Sequence, residues 1–160
     1  MELLLTKKLD NILIIGIGNN TRQDDGLGWS FLDALKKEGF NTNNLLYKYQ
    51  LMVEDAELIA NYEVVIFVDA FKNHLENGFS IEKLKPAPKF EFTTHTVPPS
   101  QLLCLCKDIY KKEPNAFVLK IQGYQWEYQI NLSDKANLNL QKALLKINKI
   151  SILENKYIEK

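Results

Sequence analysis

At 160 residues and 18.5 kDa, with 46% apolar and 25% charged positions, the chain has the composition of one ordinary globular domain spanning residues 1–160. A chain of this length can bury ~70% of its unfolded surface without a disulfide or metal staple. Twenty basic against twenty acidic residues give zero formal charge, which excludes the basic excess of a nucleic-acid protein and the cluster of a polybasic membrane anchor. The longest apolar run, Ile12 to Ile17, is six residues, far short of the ~20 needed to span a bilayer. Leu3, Leu4 and Leu5 follow Glu2 and precede lysines, the reverse of a signal peptide's order, so the expected location is cytoplasmic, with no membrane partner.

In chain order, Asn11 to Ile17 is a continuous β-branched run that predicts a strand buried on both faces. From Asp25 to Glu38, Gly28, Phe31, Leu32 and Leu35 recur at helical spacing and Gly39 supplies a stop. Leu45 to Leu51 reads as a weaker strand and Val53 to Ala60 as a short helix. Glu63 to Asp69 is a second buried strand, ending on a carboxylate. Gly78 to Leu84 and Lys89 to Thr93 predict further strands, and Pro98 and Pro99 open a helix that runs through Lys111. Cys104 and Cys106 on that helix are too close for an ordinary disulfide and lack a second pair for zinc, so they read as reduced small hydrophobes. Ala116 to Ile121 is a strand with a possible continuation past Gly123 to Ile130, and from Asp134 onward Ala136, Leu140, Ala143, Leu144 and Ile147 share one helical face. This order predicts a three-layer α/β/α sandwich around a mostly parallel sheet of about five strands.

Ligands of open α/β sheets bind beyond the carboxyl ends of the strands. Three polar features fall there: the loop after the first strand with Asp24 and Asp25, then Asp69, then His95. Two carboxylates and an imidazole suit a divalent ion such as Zn²⁺ or Ni²⁺ with positions left open for substrate. The same trio could instead do acid–base work on water without a metal, if burial moved the carboxyl pKa values toward neutrality. Blander roles compete. Asp24 or Asp25 could be a helix N-cap, and His95 a structural histidine; His74 reads as plain surface. A charge at the lip of a buried strand is harder to explain away, because its desolvation must be offset by a partner. Gly16 and Gly18 invite a dinucleotide-binding reading, but Thr21 stands where the third glycine belongs and the two acids would repel a pyrophosphate.

The stretch Gly16-Ile17-Gly18-Asn19, then Asp24-Asp25-Gly26 and Gly28, resembles the opening motif of the hydrogenase maturation proteases. Val68-Asp69-Ala70 and Thr94-His95 continue the resemblance. So do Tyr110 with Pro114, Ile121 with Gly123, and Leu132-Ser133, so that it covers roughly residues 11–147. The resemblance implies an endopeptidase that recognises nickel already inserted in the precursor of a [NiFe] hydrogenase large subunit and removes the precursor's C-terminal extension. It implies Asp25, Asp69 and His95 as metal-ligating and catalytic residues, with Gly18, Asn19, Asp24, Gly26 and Gln50 at the substrate cleft. The nickel would come with the substrate, and zinc or another divalent ion could occupy the site. A non-hydrolytic, nickel-dependent chaperone for hydrogenase assembly is the alternative. Two departures stand out: Tyr49 to Glu54 replaces a glycine-rich stretch common in the family, resembling the subgroup tied to cofactor-reducing, bidirectional hydrogenases, and Asp25 stands where many relatives carry Glu.

Overall fold

A computed structural model describes residues 11–91 and 96–158, with side chains described through 148. Five strands form one sheet in the order β2-β1-β3-β5-β4. They are β1 (Ile12–Ile17), β2 (Leu45–Lys48), β3 (Val64–Phe71), β4 (Phe79–Leu84) and β5 (Asn115–Gln122). β1 pairs in parallel with β2 and β3, β3 pairs in parallel with β5, and β4 closes the edge antiparallel to β5.

Helices α1 (Leu27–Lys37) and α4 (Asp134–Ile158) cover one face, where Phe31, Leu32 and Leu140 pack on Ile14, Val68 and Leu119. Helices α2 (Asp55–Ile59) and α3 (Pro99–Tyr110) cover the other, where Ile59, Leu102 and Cys106 meet Ile15, Val65 and Phe67. The three-layer sandwich expected from the alternating periodicities is therefore present, and both cysteines are free and buried in α3. Among the described residues, no helix is long and apolar enough to cross a membrane.

The topology makes a crevice at a definite place. From β1 the chain passes to β2 on one side, then returns across β1 to β3 on the other. Connections leave the carboxyl ends of β1 and β3 in opposite directions, and the loops there splay apart. Helix α1 starts directly against this point: a Cβ on Gly28 would lie 2.5 Å from the Val68 carbonyl oxygen and 2.7 Å from that of Ile17. Only a glycine lets the helix approach the two strands so closely.

Four expectations need correction. The strand expected over Leu45 to Leu51 ends at Lys48. Residues 89–91 of the expected Lys89 to Thr93 strand are not extended into the sheet, and Phe92 and Thr93 lie outside the described residues. The reason is competition for donors: the Ala87 N–H bonds the Ser100 carbonyl at 2.9 Å, and the Glu91 N–H bonds the Gln101 side chain at 2.9 Å. This segment is tied to the first turn of α3 instead of a strand. β5 stops at Gln122 and does not continue to Ile130, because the backbone beyond Gly123 turns to bond Asp24. β3, by contrast, runs two residues past Asp69 through Ala70 and Phe71, paired with Ile121 and Gln122 of β5.

Candidate active site

The loop after β1 builds one wall of the crevice. Gly18 has φ +143°, and a Cβ there would collide with the carbonyl oxygen of Asp25. Its N–H donates to the Lys48 carbonyl at 2.9 Å, and the next N–H, of Asn19, donates to the Asp25 carbonyl at 3.0 Å. The Asn19 side chain accepts from the Thr21 N–H at 3.0 Å and from the Thr21 hydroxyl at 2.6 Å. The loop thus folds back on itself and holds the Asp25 backbone against Gly18. A one-turn 3₁₀ helix, Gln23–Gly26, then leads into α1, and neither helix start is capped by a side chain. Capping does not explain Asp25.

The two adjacent acids do different things. Asp24 is fully buried and its carboxylate accepts four hydrogen bonds: from the N–H groups of Tyr124, Gln125 and Ser133 at 2.7, 2.9 and 2.7 Å, and from the Ser133 hydroxyl at 2.7 Å. Such charge-assisted bonds anchor the loop between Gly123 and Ser133 to the start of α1. Gln23 adds to the clamp, its N–H donating to the Gln129 carbonyl and its side chain bonding Gln125 and Glu127. Arg22 lies over the Tyr128 ring at 5.3 Å. Asp24 therefore faces away from the crevice, and neither it nor Asn19 and Gly26 lines the cleft.

Asp25 points the other way. It lines a cleft of about 510 Å³ together with Gly18, Gln50 and Asp69. Burial raises the Asp25 pKa above its ordinary value, with the nearby charges of Arg22 and Lys72 pulling against it. Asp69 shares the sheet face of Val65 and Phe67, since side chains two apart on a strand point the same way. Burial pushes its pKa up to about 7; a hydrogen bond from the Ala70 N–H opposes this, and the negative charge of Asp25 adds to it. The two carboxyls are thus electrically coupled across the gap between β1 and β3.

The rest of the cleft wall is mostly apolar: Leu51 beyond β2, Phe67 and Phe71 on β3, Val118 on β5, and Val97 to Pro99 at the start of α3. His95 lies outside the described residues; the segment that follows it, from Thr96, lines the cleft. His74 is exposed. Among the described residues, no three His, Cys, Asp or Glu side chains gather as a metal-binding group.

Three features of the site were not singled out from the sequence: the Asp24 clamp and the cleft positions of Tyr49 and Lys120. Tyr49 is 70% exposed at the cleft mouth and packs against Trp29, ring centroids 5.0 Å apart. Lys120 breaks the apolar run of β5 at the carboxyl end of the strand, and that interruption is the signal that would have found it.

No family model matches the chain. A curated protein of Methanocaldococcus jannaschii, itself provisionally named a hydrogenase maturation protease, is 28% identical over 153 residues, covering 86% of this chain and 94% of the relative. The hydrogenase maturating endopeptidase HybD of E. coli superposes with a TM-score of 0.66 at 18% identity, covering 86% of this chain and 89% of its own. The [NiFe] hydrogenase maturation protease HycI of Thermococcus kodakarensis does so with a TM-score of 0.66 at 24% identity, over 94% and 97% of the two chains. The resemblance read from the ordered motifs is thereby borne out: this chain is similar in sequence to a hydrogenase maturation protease along nearly its whole length, and it carries the fold of the hydrogenase maturation endopeptidases.

Proposed function

We propose that the chain is an endopeptidase that removes the C-terminal extension of a nickel-loaded [NiFe] hydrogenase large-subunit precursor in the cytoplasm. The observation that carries this reading is the coupled pair Asp25 and Asp69 in an apolar-walled cleft at the carboxyl edge of the sheet.

Two partly desolvated carboxyls, the charge of Asp25 further raising the proton affinity of Asp69, form a donor set that a divalent cation relieves, because the cation replaces the proton and cancels the repulsion. Asp25 and Asp69, with His95 as the third ligand, would hold that ion. The nickel of the precursor would arrive as part of the substrate, while zinc bound at the same place would supply Lewis acidity toward a carbonyl oxygen. The apolar walls seat an extended peptide and exclude bulk water. Hydrolysis adds water across the scissile amide: the oxygen joins the carbonyl carbon, the C–N bond breaks, and the leaving nitrogen gains a proton. With a pKa near neutrality, the Asp69 carboxyl is able to take up and return a proton in the metal-free protein.

Incubation of purified protein with nickel-loaded precursor, read by mass spectrometry of the precursor, tests the proposal. The expected result is loss of the extension by the wild type and an unchanged mass with Asp25→Ala, Asp69→Ala or His95→Ala, each retaining a folded circular-dichroism spectrum. Full processing by all three variants would overturn the assignment of the site. A precursor bound but never shortened by the wild type would replace the protease with a nickel-dependent chaperone.

A further inference from the structure

Because the strand order is β2-β1-β3-β5-β4, residues at the carboxyl edge lie in a fixed sequence across the cleft. Tyr49 and Gln50 follow β2, Gly18 and Asp25 follow β1, Asp69 and Phe71 belong to β3, and Lys120 lies on β5. Adjacent strands are ~4.8 Å apart and an extended peptide advances ~3.3 Å per residue. A peptide laid across the strand ends therefore passes from Asp69 to Lys120 within one to three residues.

Lys120 is the one basic residue lining the cleft among the described residues. It stands directly opposite Asp69 in the β3–β5 register, yet its ammonium is directed elsewhere. It lies 4.9 Å from the centroid of the Phe71 ring and 3.6 Å from the Glu82 carboxylate at the sheet edge. Glu82 is 55% exposed at its side chain. An ion pair of this length and exposure is weak and exchangeable, and a cation over an aromatic face keeps its outward side available. The cleft is thus polarised, acidic in the middle and cationic toward β4.

We propose that Lys120 is a specificity residue whose ammonium binds a carboxylate within the first few residues of the segment that is cut away, exchanging Glu82 for substrate. The assignment rests on the endopeptidase reading, in which the precursor's nickel is seated at Asp25 and Asp69 and the extension leads away from it. The carboxylate is either an Asp or Glu side chain or the chain terminus of a short extension.

Nickel-loaded precursors with Asp or Glu in the first three positions of the extension, the same positions as Asn or Gln, and an extension lengthened by neutral residues to move its terminus, distinguish the two sources. Loss of the carboxylate that matters is expected to raise KM about fivefold to tenfold with kcat little changed, the effect of one charge-assisted contact. In Lys120→Met, which keeps the apolar stem, that difference disappears; in Lys120→Arg it survives. Equal KM values for all precursors with the wild type, or the same difference in Lys120→Met, would overturn the proposal. Measuring Kd alongside separates it from the endopeptidase reading: a protein that binds without cutting should show the same pattern in Kd. A precursor that neither binds nor is cut would overturn both.

Discussion

Asp69→Asn should stabilise the metal-free protein, and the gain should grow with pH. Asp69 ionises at an ordinary 3.8 when unfolded and at about 7 in the folded chain, chiefly because burial penalises its charge. Between those values the folded state holds a proton that the unfolded state has released, so stability falls as pH rises through that interval. At 1.36 kcal/mol per pKa unit, the penalty is complete above pH 7 at about 4 kcal/mol, and about 60% of it is still absent at pH 5. Asparagine keeps the shape and can still accept from the Ala70 N–H without the charge. Melting of both proteins in chelator at pH 5 and pH 8 should show the variant's advantage growing by about 2–3 kcal/mol, or roughly 5–10 °C for a chain of this size. Comparing the two proteins at each pH cancels the titration of the groups that do not interact with Asp69, which leaves Asp69 and its neighbour Asp25. An advantage that does not change with pH, or reverses, would show that Asp69 is not desolvated and would remove the physical basis for reading it as a functional carboxyl.

The same proton governs metal affinity. Zinc or nickel must displace it, so binding by calorimetry should strengthen at least about tenfold per pH unit below about pH 7 and level off above; flat affinity between pH 5.5 and 7 would contradict the ligand role of Asp69. Gly18→Ala introduces a methyl group where the Asp25 carbonyl sits and strains a left-handed backbone, so a loss on the order of 2–3 kcal/mol in urea unfolding is expected, along with weaker metal binding. Asp24→Ala removes the acceptor of four donors and should destabilise by on the order of 3–5 kcal/mol; limited proteolysis should then cut between Gly123 and Ser133 first, and an unchanged cleavage pattern would refute the clamp.

The parts of the fold legible in the sequence are those where one physical signal dominates. Ile12 to Ile17 and Val64 to Val68 are unbroken apolar runs bounded by polar residues, and both form central parallel strands. Phe31, Leu32 and Leu35 recur at helical spacing and are buried. Hydrogen bonds between distant segments are less legible. Residues 89–91 have the look of a strand, but Pro86 and Pro88 interrupt the approach and α3 supplies the partners. At the site, the convergence of Asp25 and Asp69 follows from their places at the ends of neighbouring strands. The division of labour between Asp24 and Asp25 does not, because it depends on backbone donors about 100 positions away in the chain. Gln50, implied by the family resemblance, lines the cleft, whereas Tyr49 and Lys120 reach it through the order of strands in the sheet, whose one local trace is the charged break that Lys120 makes in the apolar run of β5.

That distance between Asp24 and its partners carries a consequence for biosynthesis. The residue that aims Asp25 is held by Tyr124, Gln125 and Ser133. While the ribosome has delivered only the first hundred or so residues, β1, β2 and β3 can already associate, but the buried carboxylate of Asp24 has no donors to receive. The cleft is completed only when the polypeptide past Ser133 has emerged and its loop has closed over the 3₁₀ turn. Long-range closure of this kind is a late event in folding. A half-made chain would therefore present the hydrophobic strands of the sheet without an organised pair of acids, and competence for chemistry would be acquired only after Ser133 has emerged.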